Sequence, residues 1–138
     1  MTAARFLLLP QPARLKGGVS LHMKDFVIHK IAWHIKGDPR GREVAEELVL
    51  AYKPLIAWLN EKGLLLNKSL AQKPIDTEFE IRVSDLTPEG YELFRLAHSR
   101  WMQALDRLSI GELTVEKAKQ KIETIWEKYF LKLKKTGD

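Results

Sequence analysis

Three stretches of the chain repeat apolar residues at the three- and four-residue spacing of an amphipathic helix. We predict helices over residues 39–62, over residues 88 to about 107, and from Leu113 toward the C-terminus. Pro54 lies inside the first stretch and predicts a kink or a break, because proline has no backbone N–H and crowds the preceding turn. Three tryptophans fall on the apolar stripes and are expected to pack in the core: Trp58, Trp101 and Trp126.

Residues that commonly cap helices lie at the ends of these stretches. Asp38 followed by Pro39 is typical of a helix start, and Gly63 is typical of a helix stop. Thr87 precedes Pro88 and is expected to act as an N-cap, with its side chain accepting a hydrogen bond from a backbone N–H of the first turn. The predicted boundaries of the first two helices therefore rest on local chemistry as well as on periodicity.

Two shorter stretches alternate polar and apolar residues, which is typical of half-buried strands. Residues 26–35 are rich in β-branched and aromatic side chains, although a helical stripe also fits part of this stretch. Residues 78–83 alternate strictly, and we expect them to form a hairpin with residues 64–67. The chain is therefore predicted to adopt an α+β, helix-dominated fold with about three or four helices and a small β-hairpin.

Two short segments resemble a family of transcription regulators. Residues 59–65 read Leu-Asn-Glu-Lys-Gly-Leu-Leu, and residues 86–94 read Leu-Thr-Pro-Glu-Gly-Tyr-Glu-Leu-Phe. With the strand between them they resemble the wing and the following helix of MarR-type winged-helix proteins, and this resemblance implies DNA binding through the helix before the wing. In this chain residues 43–62 of that helix carry mainly acidic charges: Glu43, Glu46, Glu47 and Glu61 against Lys53 and Lys62. A degenerate winged-helix nucleic-acid-binding protein is therefore the alternative function.

The formal net charge of +5 is concentrated at the two ends of the chain. Residues 1–22 contain basic but no acidic side chains, residues 117–138 are rich in lysine, and the body between them is net acidic. Residues 1–22 also contain a Gly-Gly pair and two prolines without apolar periodicity. We therefore expect a flexible basic N-terminal tail followed by a single globular domain over residues 23–138. One hypothesis is that Met23 is the natural start of the protein.

The lack of cysteine and of long apolar runs excludes several classes of protein. A chain without cysteine has no disulfide framework, no thiolate zinc site and no cysteine nucleophile, and it fits a reducing compartment. No apolar run approaches the ~20 residues that cross a bilayer. We therefore expect a cytoplasmic protein with no membrane partner.

The sequence motifs predict neither a catalytic site nor a metal site. His29 and His34 form a close pair, but residues five apart point to different faces of a helix or a strand. We interpret these two residues and His98 as polar surface histidines. Glu78 and Glu80 are interpreted as charges on an exposed strand face, and no serine lies in a Gly-x-Ser-x-Gly elbow. We therefore expect a protein that is not an enzyme and that needs no metal and no cofactor.

The remaining candidate residues lie on binding surfaces. The exposed face of the predicted last helix is the best candidate for contact with an acidic partner: Lys117, Lys121, Lys128, Lys132 and Lys135. Trp33 is a second candidate, because it lies among histidines and lysines rather than on a helical stripe. We expect a small non-enzymatic bacterial-type protein that binds another macromolecule, as an inhibitor, an antidote or an adaptor. Another protein is the first expected partner, and nucleic acid bound through the lysine-rich C-terminal helix is the alternative.

Overall fold

The computed structural model describes residues 25–36, 40–108 and 111–136. The predicted tail, the Met23 start and the Asp38-Pro39 helix cap lie outside these residues. In chain order, the structure has strand β1 (Val27–Lys30), a 3-10 turn (Ile31–His34), helix α1 (Gly41–Glu61), strand β2 (Glu80–Arg82) and helix α2 (Pro88–Asp106). The last helix consists of α3 (Val115–Lys121), a π-helical segment (Ile122–Trp126) and α4 (Glu127–Thr136).

The predicted helix-dominated α+β fold is confirmed, and its small β part is a two-stranded antiparallel sheet of β1 and β2. The predicted pairing with residues 64–67 is wrong, because β2 pairs with β1 and the two strands are connected through α1. Residues 64–67 contribute one isolated bridge, between Leu65 and Leu86. Leu64 and Leu65 are both buried, so this segment lacks the one-sided face of a half-buried hairpin strand.

The sequence predicts a kink or a break at Pro54, and the break does not occur, because helix α1 continues through this residue. Proline removes one backbone hydrogen bond, but the residues on both sides of it are buried against the rest of the protein. These buried residues are Leu48, Ala51, Tyr52, Leu55, Ile56 and Leu59. The stabilisation from this packing offsets the local cost of the proline, because most helix stability in proteins comes from tertiary contacts.

The predicted N-cap of α2 is confirmed. Thr87 Oγ1 accepts a hydrogen bond from the Gly90 N–H at 3.0 Å. The core between the helices is aromatic, because Trp101 and Trp126 are both fully buried. Their ring centroids lie 5.6 Å apart. The core prediction is therefore confirmed for these two tryptophans, whereas Trp58 is only partly buried. Among the described residues, no helix is both long and apolar enough to cross a membrane.

The start of α1 lies directly against the turn that precedes it. A Cβ on Gly41 would overlap the backbone carbonyl oxygen of His34 and would lie 2.8 Å from the Ile35 Cα. These are backbone atoms, so they move only if the turn moves with them.

We expect Gly41→Ala to lower the free energy of unfolding by about 1–3 kcal/mol through overpacking, although alanine favours helix formation. Urea denaturation measures this change. Arg42→Ala, at the neighbouring exposed position, should change the free energy of unfolding by less than about 0.5 kcal/mol. A Gly41→Ala protein as stable as the wild type would contradict the close packing of Gly41 against the backbone of the 3-10 turn.

Candidate functional site

Three histidines and one tyrosine that are distant in sequence meet inside the protein. His29 comes from β1, His34 from the end of the 3-10 turn, Tyr52 from α1 and His98 from α2. Their exposed fractions are 4%, 6%, 0% and 8%, respectively. The prediction that these histidines lie on the surface is therefore wrong. We call the four residues the histidine–tyrosine chain.

A change of backbone conformation explains how the two N-terminal histidines meet. The register of β1 against β2 is irregular between Val27 and His29, and both Ile28 and His29 are buried. After Lys30 the backbone enters the 3-10 turn, which brings the His34 ring to 5.0 Å from the His29 ring, centroid to centroid. A spacing of five residues separates side chains on one regular element, but here the residues lie on two different elements.

The polar atoms of the histidine–tyrosine chain are hydrogen-bonded in series. His29 Nδ1 lies 2.6 Å from Tyr52 Oη, and His29 Nε2 lies 2.8 Å from His34 Nε2. Tyr52 Oη also lies 3.3 Å from His98 Nε2. The order is therefore His34, His29, Tyr52, His98, and each of the two inner groups has a partner on both sides.

Two arrangements of hydrogen atoms satisfy all three bonds with uncharged rings. In the first, His34 Nε2–H donates to His29 Nε2, His29 Nδ1–H donates to Tyr52 Oη, and the Tyr52 hydroxyl donates to His98 Nε2. In the second, every donor and acceptor exchanges roles. The two arrangements interconvert when a proton enters at Nδ1 of one end histidine and another leaves from Nδ1 of the other end histidine.

Burial keeps the inner part of this chain uncharged at neutral pH. The loss of water around His29 holds its pKa well below the usual value, and repulsion from His98 and His34 lowers it further. Burial lowers the pKa of His98 to about 4, with His34 again adding to the shift. Burial also raises the pKa of Tyr52 well above its usual value. Near pH 7, His29, His98 and Tyr52 are therefore all neutral.

Aromatic rings enclose the histidine–tyrosine chain. Phe94 stacks on His98 with a centroid distance of 5.6 Å, and the rings of Phe79 and Trp101 each lie 5.0 Å from Tyr52. Trp33 contacts His29 edge-on at 6.2 Å and is itself 38% exposed. Trp33, predicted as a partner contact, therefore lies between His29 and solvent.

The arrangement does not fit a metal site. Metal ligands converge on one point, whereas the two ring nitrogens of His29 face different partners. Within the described residues, no group of three or more histidine, aspartate or glutamate side chains is placed to hold a metal ion. What the geometry allows is the movement and storage of protons along a line of neutral groups.

The lysines predicted as partner contacts fall into two groups. Lys128, Lys132 and Lys135 are exposed on α4 and share one face at helical spacing. Lys117 and Lys121 are half-buried on α3, and Lys117 Nζ lies 3.8 Å from Glu112. The wider π-helical segment between α3 and α4 shifts the helical register, so the two groups do not continue one regular stripe.

The lysines of α4 surround an exposed leucine. Leu131 is 54% exposed and lies three residues after Lys128 and four before Lys135. Lys132 Nζ lies 5.3 Å from the centre of the Tyr129 ring. We call Lys128, Leu131, Lys132 and Lys135 the α4 face.

Sequence reasoning missed Tyr52 and the interior position of the histidines. One signal was present, because Tyr52 and His98 both lie on the apolar stripes of their helices. Polar residues on such stripes need partners, and each of these two residues is a partner of the other.

Comparisons with protein-family models, with curated proteins and with solved structures returned no match to this chain. The wing implied by the MarR resemblance would need residues 64–67 to pair with residues 78–83, whereas β2 pairs with β1.

Proposed function

We propose that this protein binds an acidic surface of another protein through the α4 face and acts as a small inhibitor or adaptor. The supporting observation is the composition of that helix surface. Of the α4 side chains that the structure describes, the exposed ones are four lysines and Leu131. Clustered positive charge around an apolar side chain complements an acidic surface that also offers an apolar contact.

The exposed leucine favours a protein partner over nucleic acid. A protein surface can cover Leu131 with apolar side chains, whereas a phosphate backbone offers it little apolar contact. The face is also short, because ten helical residues extend about 15 Å. Beyond this helix the body of the chain is net acidic, which disfavours a long phosphate track. Nucleic-acid binding is therefore the alternative outcome of the test below.

Charge reversal of the α4 face should weaken the binding of an acidic peptide by at least about tenfold, because each new glutamate repels the acidic side chains of the peptide. The variant is K128E/K132E/K135E in the full chain. Two labelled probes are compared by fluorescence anisotropy: an acidic amphipathic helical peptide that carries leucine, and a random DNA duplex. The peptide should bind more tightly than the duplex at physiological salt. Leu131→Ser should weaken binding of the peptide only.

A matched control has the same change of net charge at exposed lysines elsewhere: K53E/K68E/K73E. This control should bind the peptide as the wild type does. Affinity purification from nuclease-treated host lysate, with the wild type and both triple variants as baits, should recover a protein that only the α4-face variant loses. Tighter binding of the duplex, with a loss of ~10³-fold between 50 and 200 mM salt, would instead favour the nucleic-acid alternative. Equal loss of peptide binding in the two triple variants would contradict the proposal.

A further inference from the structure

The histidine–tyrosine chain links a short N-terminal segment to the helical body. His29 and His34 belong to residues 27–36, which we call the docked segment, whereas Tyr52 and His98 belong to α1 and α2. The histidine–tyrosine chain takes no part in the binding proposed for the α4 face. Its position at the boundary between segment and body makes it a candidate for controlling how the two are held together.

Other contacts also hold the docked segment. Ile28 and Ile31 are its buried apolar anchors, the Ile35 backbone lies against Gly41 at the start of α1, and β1 pairs with the three-residue strand β2. Backbone bonds run from the Ile31 N–H to the Phe79 carbonyl and from the Val83 N–H to the Phe26 carbonyl, both at 3.0 Å. Among the described residues β1 has no second strand neighbour, and such short peripheral elements open at a lower free-energy cost than the core does.

The effect of protons follows from the order of the hydrogen bonds. A single added proton on His29 keeps all three bonds, since His29 then donates to both His34 Nε2 and Tyr52 Oη. A second proton on His34 places two N–H groups against each other at the 2.8 Å contact, where neither accepts. Two like charges in the interior also repel strongly. The hydrogen bond between His29 and His34 is therefore the one that breaks when both residues carry the added proton.

The described groups that face His29 carry no negative charge. His34 faces it from the turn, Tyr52 from α1, His98 from α2, and Trp33 covers its edge. The same two helices also carry buried carboxylate oxygens, on Glu47 of α1 and Asp106 of α2. These two residues are the titratable groups that controls must separate from the histidines.

We propose that the histidine–tyrosine chain is a pH-sensitive switch that holds the docked segment while neutral and releases it when both His29 and His34 carry a proton. Release moves the two charged rings into water, while the aromatic core of α2 and the last helix stays packed. It also uncovers Ile28 and Ile31, so the protein gains an apolar surface in acid that it lacks at neutral pH.

Hydrogen exchange and imidazole NMR on the full chain test this switch between pH 7.5 and pH ~4.5, a range that spans the usual histidine pKa. The protection factors of amides 27–30 should fall at least tenfold further than those of the core amides of α2, which follow the global loss of stability with pH, while the helical circular dichroism persists. The ring-nitrogen shifts of His29 and His34 should report protonation with the same midpoint as this loss.

His34→Gln should remove the acid step, because glutamine keeps a neutral hydrogen-bonding group and does not titrate in this range. His29→Asn is the second variant, in case His34→Gln does not fold. Glu47→Gln and Asp106→Asn are the controls and should retain the acid step. An equal fold-loss of protection in α2 and in residues 27–30, or protection of residues 27–30 that persists once both histidines are charged, would overturn the proposal. An unchanged acid step in the histidine variants would also overturn it.

Discussion

Trp101→Ala is expected to lower the free energy of unfolding by about 3–5 kcal/mol, a large part of the total stability of a domain of this size. The Trp101 side chain is fully buried, and its ring packs against Tyr52 at 5.0 Å and against Trp126 at 5.6 Å. Its removal leaves a cavity in the centre of the core. Urea denaturation followed by circular dichroism measures the loss.

The exposed Trp33 provides the control for this prediction. Trp33→Ala removes the same atoms from a position that is 38% exposed, so its cost should be clearly smaller than that of Trp101→Ala. The Trp101 ring also lies 5.9 Å from the His98 ring, so its loss leaves a cavity beside the histidine–tyrosine chain. Equal stability losses for Trp101→Ala and Trp33→Ala would contradict the assignment of Trp101 to the core.

The helices were predictable because their signals are local. Periodicity places Trp101 and Trp126 on buried faces, and Thr87 caps α2 through a side chain three residues from its partner. Strand pairing was not predictable in this way. β1 and β2 are separated along the chain by α1, so their pairing depends on how the helix packs.

The histidine–tyrosine chain was missed for a related reason. A spacing of five residues excludes His29 and His34 from one face only when the backbone between them is regular, and here it changes from strand to 3-10 turn. The π-helical segment has a similar effect on the last helix, where sequence periodicity joins lysines that the structure separates. The conformation of such irregular backbone depends on tertiary packing, so the residue pattern of one helix or one strand does not predict it.

Lowering the pH should destabilise the fold through the same histidines. The unfolded chain binds a proton at His98 below about pH 6.5, whereas burial holds the pKa of His98 in the folded protein at about 4. Between these two values the unfolded state binds more protons, so stability is present above pH ~6.5 and falls as the pH decreases toward 4. The difference corresponds to about 3 kcal/mol for this one residue, and the lowered pKa of His29 acts in the same direction.

Urea midpoints measured at intervals from pH 7 to pH ~4.5 should therefore decrease steadily, and His98→Asn should make the decrease shallower by about 1.4 kcal/mol per pH unit. Glu89→Gln, at an exposed position on α2, should leave the slope near that of the wild type. Stability that is constant or rises over this range would show that the histidines are not buried in a neutral state. By pH 5, His98 alone should have lowered the free energy of unfolding by about 2 kcal/mol, out of a total of about 5–15 kcal/mol that is usual for a domain. Helical circular dichroism recorded at each pH shows where the helical body is still folded, and in that range the acid response of β1 is measured apart from global unfolding.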